Sequence, residues 1–116
     1  MKVNPPGIGL GGKIRRRKMV IDLSLCNEAL YKGCVVGEIA GRQNLRTPVA
    51  KAVTLVGRNI AAIIQDVPPE SRGSVTLTGP MAVWAYLVVF HAVVHSFNEV
   101  QYSDGRNAAV VLARHG

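Results

Sequence analysis

Apolar positions along the chain change their spacing in a definite order, and each spacing predicts an element. Met19-Val-Ile-Asp-Leu-Ser-Leu25 alternates apolar with polar residues and predicts a half-buried strand. Gly33-Cys-Val-Val-Gly-Glu-Ile39 predicts a second strand, with Asn27 to Lys32 as the connection. Gly41-Arg-Gln-Asn-Leu-Arg46 reads as a polar loop. Thr47-Pro48 then supplies an N-cap with proline at the first helical position. Val49, Ala52, Val53, Val56, Ile60, Ile63 and Ile64 recur at three-four spacing, which predicts a long helix ended by Asp66-Val-Pro-Pro69. Ser74-Val-Thr-Leu-Thr78 is a strand by its β-branched content, and Gly79-Pro80 marks the entry to a second helix. Glu99 to Tyr102 and Ala108 to Ala113 read as two short strands. The order β-β-α-β-α-β-β predicts one small α/β (α+β) domain over residues 1–116, with a mixed sheet and two long helices. Residues 1–12 are rich in glycine and proline and are expected to be irregular.

Pro80 to Phe97 carries no formal charge and approaches the length of a short membrane span. Two histidines fall inside it, and it begins with Gly-Pro directly after a strand. A fully buried crossover helix accounts for the same apolarity, so no membrane is expected as a partner. Residues 1–12 also lack the apolar core of a secretory signal, which points to the cytoplasm. Cys26 and Cys34 have no C-x-x-C spacing and read as reduced packing residues.

Composition alters the picture in two ways. At 48% hydrophobic and 5% aromatic, aliphatic packing dominates, and some apolar surface is expected to remain for self-association into a homodimer or larger homo-oligomer. Lysine and arginine outnumber acids 14 to 7, a formal charge of +7 that favours a polyanionic partner such as RNA or a nucleotide. The run Lys13-Ile-Arg15-Arg16-Arg17-Lys18 concentrates that charge, and Arg15 and Arg16 are candidate ligand contacts.

All three histidines lie near the C-terminus. A helix turns about 100° per residue, so Trp84, Val88, His91 and His95 share one stripe with the two imidazoles one turn apart. Such a pair serves either as hydrogen-bonded structural residues or as a holder of one metal ion or phosphate. Tyr102-Ser-Asp104-Gly-Arg106 then inserts a carboxylate and a guanidinium between apolar runs, and His115 ends the last strand. His91, His95 and Asp104 form a two-histidine, one-carboxylate set that suits manganese, iron or zinc without choosing among them. Asp104 with one histidine acting in proton transfer, without metal, is the alternative.

From Ser74 to His115 the chain resembles the CRISPR-associated ring nuclease family of the Csx type, number three in that series. The resemblance rests on Gly79, Trp84, His91, His95, Tyr102, Asp104, Arg106, Val110, Val111 and His115, in that order. The chain departs from the family at Pro80, which replaces an arginine, and at Ser103, inserted between tyrosine and aspartate. It departs also at Val94, where the family can carry a histidine, and in ending at Gly116 where the family continues with further strand. A strand formed around Gly12 to Leu25 is one candidate to fill that edge; an unrelated extension is the other.

The resemblance implies a phosphodiesterase that linearises cyclic oligoadenylate, with cyclic tetra-adenylate the expected ligand, and so switches off type III CRISPR signalling. It also implies a divalent cofactor, manganese first, held by His91, His95 and Asp104. In that reading a ribose 2′-hydroxyl attacks its neighbouring phosphate in line, and the enzyme supplies charge stabilisation and a proton for the leaving oxygen. His95, Asp104, His91 and Arg106 are the catalytic candidates. Gly79, Tyr102, His115, Arg42 and Arg46 are the ligand-binding ones, the last two beside the N-terminus of the first helix, where free backbone N–H groups favour phosphate. A deadenylating nuclease acting on RNA 3′ ends, a non-catalytic RNA- or nucleotide-binding sensor and a structural oligomerisation subunit are the competing expectations. DNA is not expected as a partner.

Overall fold

Among the described residues three parallel strands and one antiparallel strand form the main sheet, with two helices laid across one of its faces. In this computed structural model residues 18–115 are described. The elements are β1 (Lys18–Asp22), β2 (Val36–Ile39), β3 (Arg42–Leu45), α1 (Val49–Gln65), a 3-10 turn at Pro69–Ser71, β4 (Ser74–Thr78), α2 (Val83–Val94), β5 (Glu99–Tyr102) and β6 (Val110–Arg114). The sheet order is β1-β4-β5-β6; β1, β4 and β5 run parallel and β6 pairs antiparallel with β5. Hairpin β2-β3 forms a separate two-stranded sheet.

Strand order advances one position at each crossover, β1 through α1 to β4 and β4 through α2 to β5. Crossovers of one hand moving in one direction place both helices on the same face. The core lies in that sandwich. Ile21, Leu23, Val75, Leu77 and Val100 meet Val56, Ile60 and Ile64 of α1 and Ala85, Val89 and Val93 of α2. Among the described residues the opposite face is open and mostly polar, with Lys18, Ser74, Glu99 and Arg114 in one cross-strand row and Val20, Thr76, Gln101 and Val111 in the next.

Four local expectations change. The segment 41–46 is mostly strand: Ala40 and Gly41 both have positive φ, 53° and 80°, the geometry of a two-residue hairpin turn, so β3 folds back on β2. Thr47 does not cap α1; its hydroxyl accepts the Val35 N–H at 2.7 Å, tying the hairpin to the helix entry, and Pro48 takes the N-cap position. Of the cysteines, Cys34 packs against the core, but Cys26 is exposed and its thiol donates to Gln43 Oε1 at 3.2 Å. Finally, α2 is not buried all round. It is apolar on every side, yet Val83 is 72% and Leu87 63% exposed, because α1 and the sheet together cover only part of its circumference. Among the described residues no helix is long and apolar enough to cross a membrane.

Candidate functional site

Parallel strands align their carboxyl ends, and the loops leaving them are the usual place for a ligand in α/β sheets. Three such loops stand in a row here: 23–27 after β1, 79–82 after β4 and 103–107 after β5. Leu23 N–H donates to Thr78 O at 2.7 Å, Ser103 N–H to Leu77 O at 3.0 Å, and Thr78 Oγ1 to Ser103 O at 2.7 Å. The middle loop is thereby tied to both neighbours.

Gly79 makes this closeness possible. Its φ is 101°, and a Cβ there would collide with Asp22 Oδ1 and approach the Leu23 and Ser24 nitrogens to 3.1 and 3.0 Å. Asp22 Oδ1 accepts the Ser24 N–H at 2.9 Å, so the carboxylate shapes the β1 loop directly beneath the glycine. Tyr86, one turn into α2, donates its hydroxyl to Gly79 O and meets Tyr102 edge to face at 5.7 Å between centroids. Burial raises the Tyr86 phenol above its ordinary value, with Tyr102 and Asp22 adding to the effect, so it stays a neutral donor.

Beside the Gly79 loop an open cleft of about 440 Å³ is lined by Ser24, Leu25 and Cys26 of the β1 loop, Arg42 and Gln43 of the hairpin, and Pro80 and Met81. Arg42 is exposed there, whereas the Arg46 side chain lies over Gly37, which has no Cβ in its way. No side chain caps α2, whose first turn opens from this edge and contains no acid. Its amide N–H groups and Arg42 are the groups at this edge that favour negative charge, set against the carboxylates of Asp22 and Asp104.

Asp104 organises the third loop. Its Oδ1 accepts the backbone N–H of Arg106 at 2.8 Å and of Asn107 at 2.9 Å, and its Oδ2 accepts Asn107 Nδ2 at 2.9 Å. The Asn107 and Arg106 amides, followed by the Asn107 side chain, hold its carboxyl below the usual aspartate value. The loop leaves Arg106 exposed.

The histidines stand elsewhere. Helix α2 starts at the carboxyl edge and runs back across the sheet, about 18 Å at 1.5 Å per residue, so His95, its C-cap, is at the amino edge. Asn98 and Glu99 there donate N–H to Arg72 O and Gly73 O, and His115 N–H donates to Asn98 O at 2.6 Å, which puts all three histidines toward that end. His91 and His95 do pair, ring centroids 5.2 Å apart and edge to face, on the exposed surface between α1 and α2 beside Val53, Gly57 and Leu87. The expected set of His91, His95 and Asp104 is therefore not assembled within one chain, because β5 separates His95 from Asp104. Among the described residues no three His, Cys, Asp or Glu side chains come together as metal ligands within one chain, so the expected manganese ligands are not brought together there.

Gly79, Tyr102, Asp104, Arg106 and Arg42 lie toward one edge of the sheet, whereas His91, His95 and His115 do not; Arg15 and Arg16 lie outside the described residues. Asp22, Ser24 and Gln43 border this edge and were not anticipated. Alternation marks Asp22 only as a solvent-side strand residue, and its approach to Gly79 comes from a strand pairing remote in sequence. Comparison of the chain with protein-family models, with curated proteins and with solved structures finds no match.

Proposed function

We propose that the chain is a phosphodiesterase of the ring nuclease kind, binding cyclic oligoadenylate at the carboxyl edge of β1, β4 and β5. One observation carries this reading. Gly79, and Tyr102 with Asp104 and Arg106, residues among those on which the resemblance rests, lie where adjacent parallel strands end, and their loops are joined by the Thr78 to Ser103 hydrogen bond. Arg106, Arg42 and the first-turn amides of α2 would grip phosphates, and Tyr102 offers a ring to an adenine. In the reaction a ribose 2′-oxygen bonds to the adjacent phosphorus and the bond from phosphorus to the 5′-oxygen breaks. The 2′-hydroxyl proton is removed, one is delivered to the 5′-oxygen, and the ring opens to a 2′,3′-cyclic phosphate end.

Asp104 in this reading is a positioning residue: its oxygens are held by its own loop, and what it presents is Arg106. An imidazole for proton transfer would have to come from His91 or His95 of another copy. A non-catalytic nucleotide sensor is the second reading, favoured by the same separation of the histidines from the edge. Incubation with cyclic tetra-adenylate, with and without manganese, tests both. Linear product, lost in Arg106→Ala and absent with linear RNA bearing an adenylate tail, supports the nuclease. Binding that Arg106→Ala weakens, with no product under either condition, establishes the sensor instead, and no binding at all removes both.

A further inference from the structure

We propose that the free edge of β1 is a subunit interface, at which β1 pairs antiparallel with β1 of a second copy to make one continuous eight-stranded sheet. Among the described residues β1 has a single neighbour in its sheet, β4, and the N–H and C=O groups of its other side meet no described strand, which leaves them to a further one. The side chains select which strand. Met19 and Ile21 point to the core, while Lys18, Val20 and Asp22 point to the open face, all three exposed. Two copies related by a two-fold axis through Val20 would set Lys18 of each opposite Asp22 of the other and Val20 against Val20.

This pattern complements itself and no other spacing of the same five residues does so. Opposed residues lie about 5 Å apart across an antiparallel pair. Within its own chain the carboxylate nearest Lys18 along its cross-strand row is Glu99, two strands away at about 10 Å and already bonded to Arg114 at 2.9 Å. Among the described residues neither Lys18 nor Asp22 forms an ion pair. Asp22 uses Oδ1 on Ser24 and keeps Oδ2 free of described donors. The isologous arrangement closes on itself, leaving no unpaired β1 edge, and keeps the helices of both copies on one face.

The other edge, β6, is unlike this. It exposes Val110, Val111 and Leu112, but its register slips between Val100 and Gln101, leaving Leu112 without a partner on β5. Such a bulge twists an edge away from further pairing.

The test is the oligomeric state of the full chain by light scattering across micromolar concentrations, with Trp84 fluorescence and circular dichroism reporting the fold. The wild type should be a dimer. Lys18→Glu sets like charges opposite each other twice and should weaken dimerisation by about tenfold or more. Val20→Lys, which brings two cations together on the axis, should do the same, whereas Leu112→Lys on β6 should leave the dimer intact. Mixing Lys18→Glu with Asp22→Lys should restore a heterodimer, since each charge then faces its opposite. A monomeric wild type, a dimer indifferent to both Lys18→Glu and Val20→Lys, or one lost on Leu112→Lys would overturn the proposal. Should Asp22→Lys fail to fold for want of its bond to Ser24, the Val20 and Leu112 variants still decide.

Discussion

Both oxygens of Asp104 are engaged by donors of its own loop, and this fixes its ionisation in a testable direction. Its carboxyl is held below the ordinary aspartate value of about 3.9, so the anion's hydrogen bonds stabilise the loop at every pH above that value. As pH falls through the lower folded value they are lost. The amide signals of Arg106 and Asn107, followed by NMR through acid titration, should therefore move together with a midpoint below about 3.9. A midpoint at or above it would mean that the loop does not hold the carboxylate. Across the neutral range Asp104 is anionic, which suits organising Arg106 and excludes donating a proton. Tyr86 behaves oppositely: burial keeps its hydroxyl protonated, and its bond to Gly79 O anchors the entry to α2.

At the scale of elements, α2 has one stripe that holds the fold and another that does not. Leu77 on β4 and Val89 on α2 are fully buried, and Leu87 is 63% exposed. Leu77→Ala should cost about 2–5 kcal/mol in urea unfolding, and Leu87→Ala about 0.5 kcal/mol or less. Equal losses would show that Leu87 is covered in solution. The helices and β4 and β5 were legible in the sequence because three-four spacing and β-branched runs are local signals. The β2-β3 hairpin was not, since its turn is Ala40-Gly41 and lacks the Asn or Asp that usually announces positive φ at the first position. The site was half legible. Glycine and Asx turns mark the loops at Gly79 and Asp104, but nearness in sequence misleads about His95 and Asp104. A strand of four residues at about 3.3 Å each stands between them, and it carries the chain from one edge of the sheet to the other.

For the whole molecule, the gathering of both helices on one face leaves charge and apolarity sorted by surface. The open face carries Lys18, Glu99 and Arg114, and the outer helical face carries Val53, Val83 and Leu87 beside the imidazole pair. The sheet is equally uneven in how far apart its strands lie along the chain. From β4 onward each strand pairs with the next, β4 with β5 across α2 and β5 with β6 across one loop, whereas β1 reaches β4 only after the hairpin and α1 have been traversed. Closing that longer loop costs more chain entropy and delays the contact, so the segment from β4 to β6 should form early and β1 dock last. Native-state hydrogen exchange on the monomeric Val20→Lys chain would read the order directly: β5 amides should open only with global unfolding, and those of β1 by a lower-energy route. An edge that is the last to be sewn in is also the first to come free. In a crowded cell the time spent before β1 docks is the interval in which neighbouring chains can exchange strands, so the same segment that completes the monomer sets its exposure to misassembly.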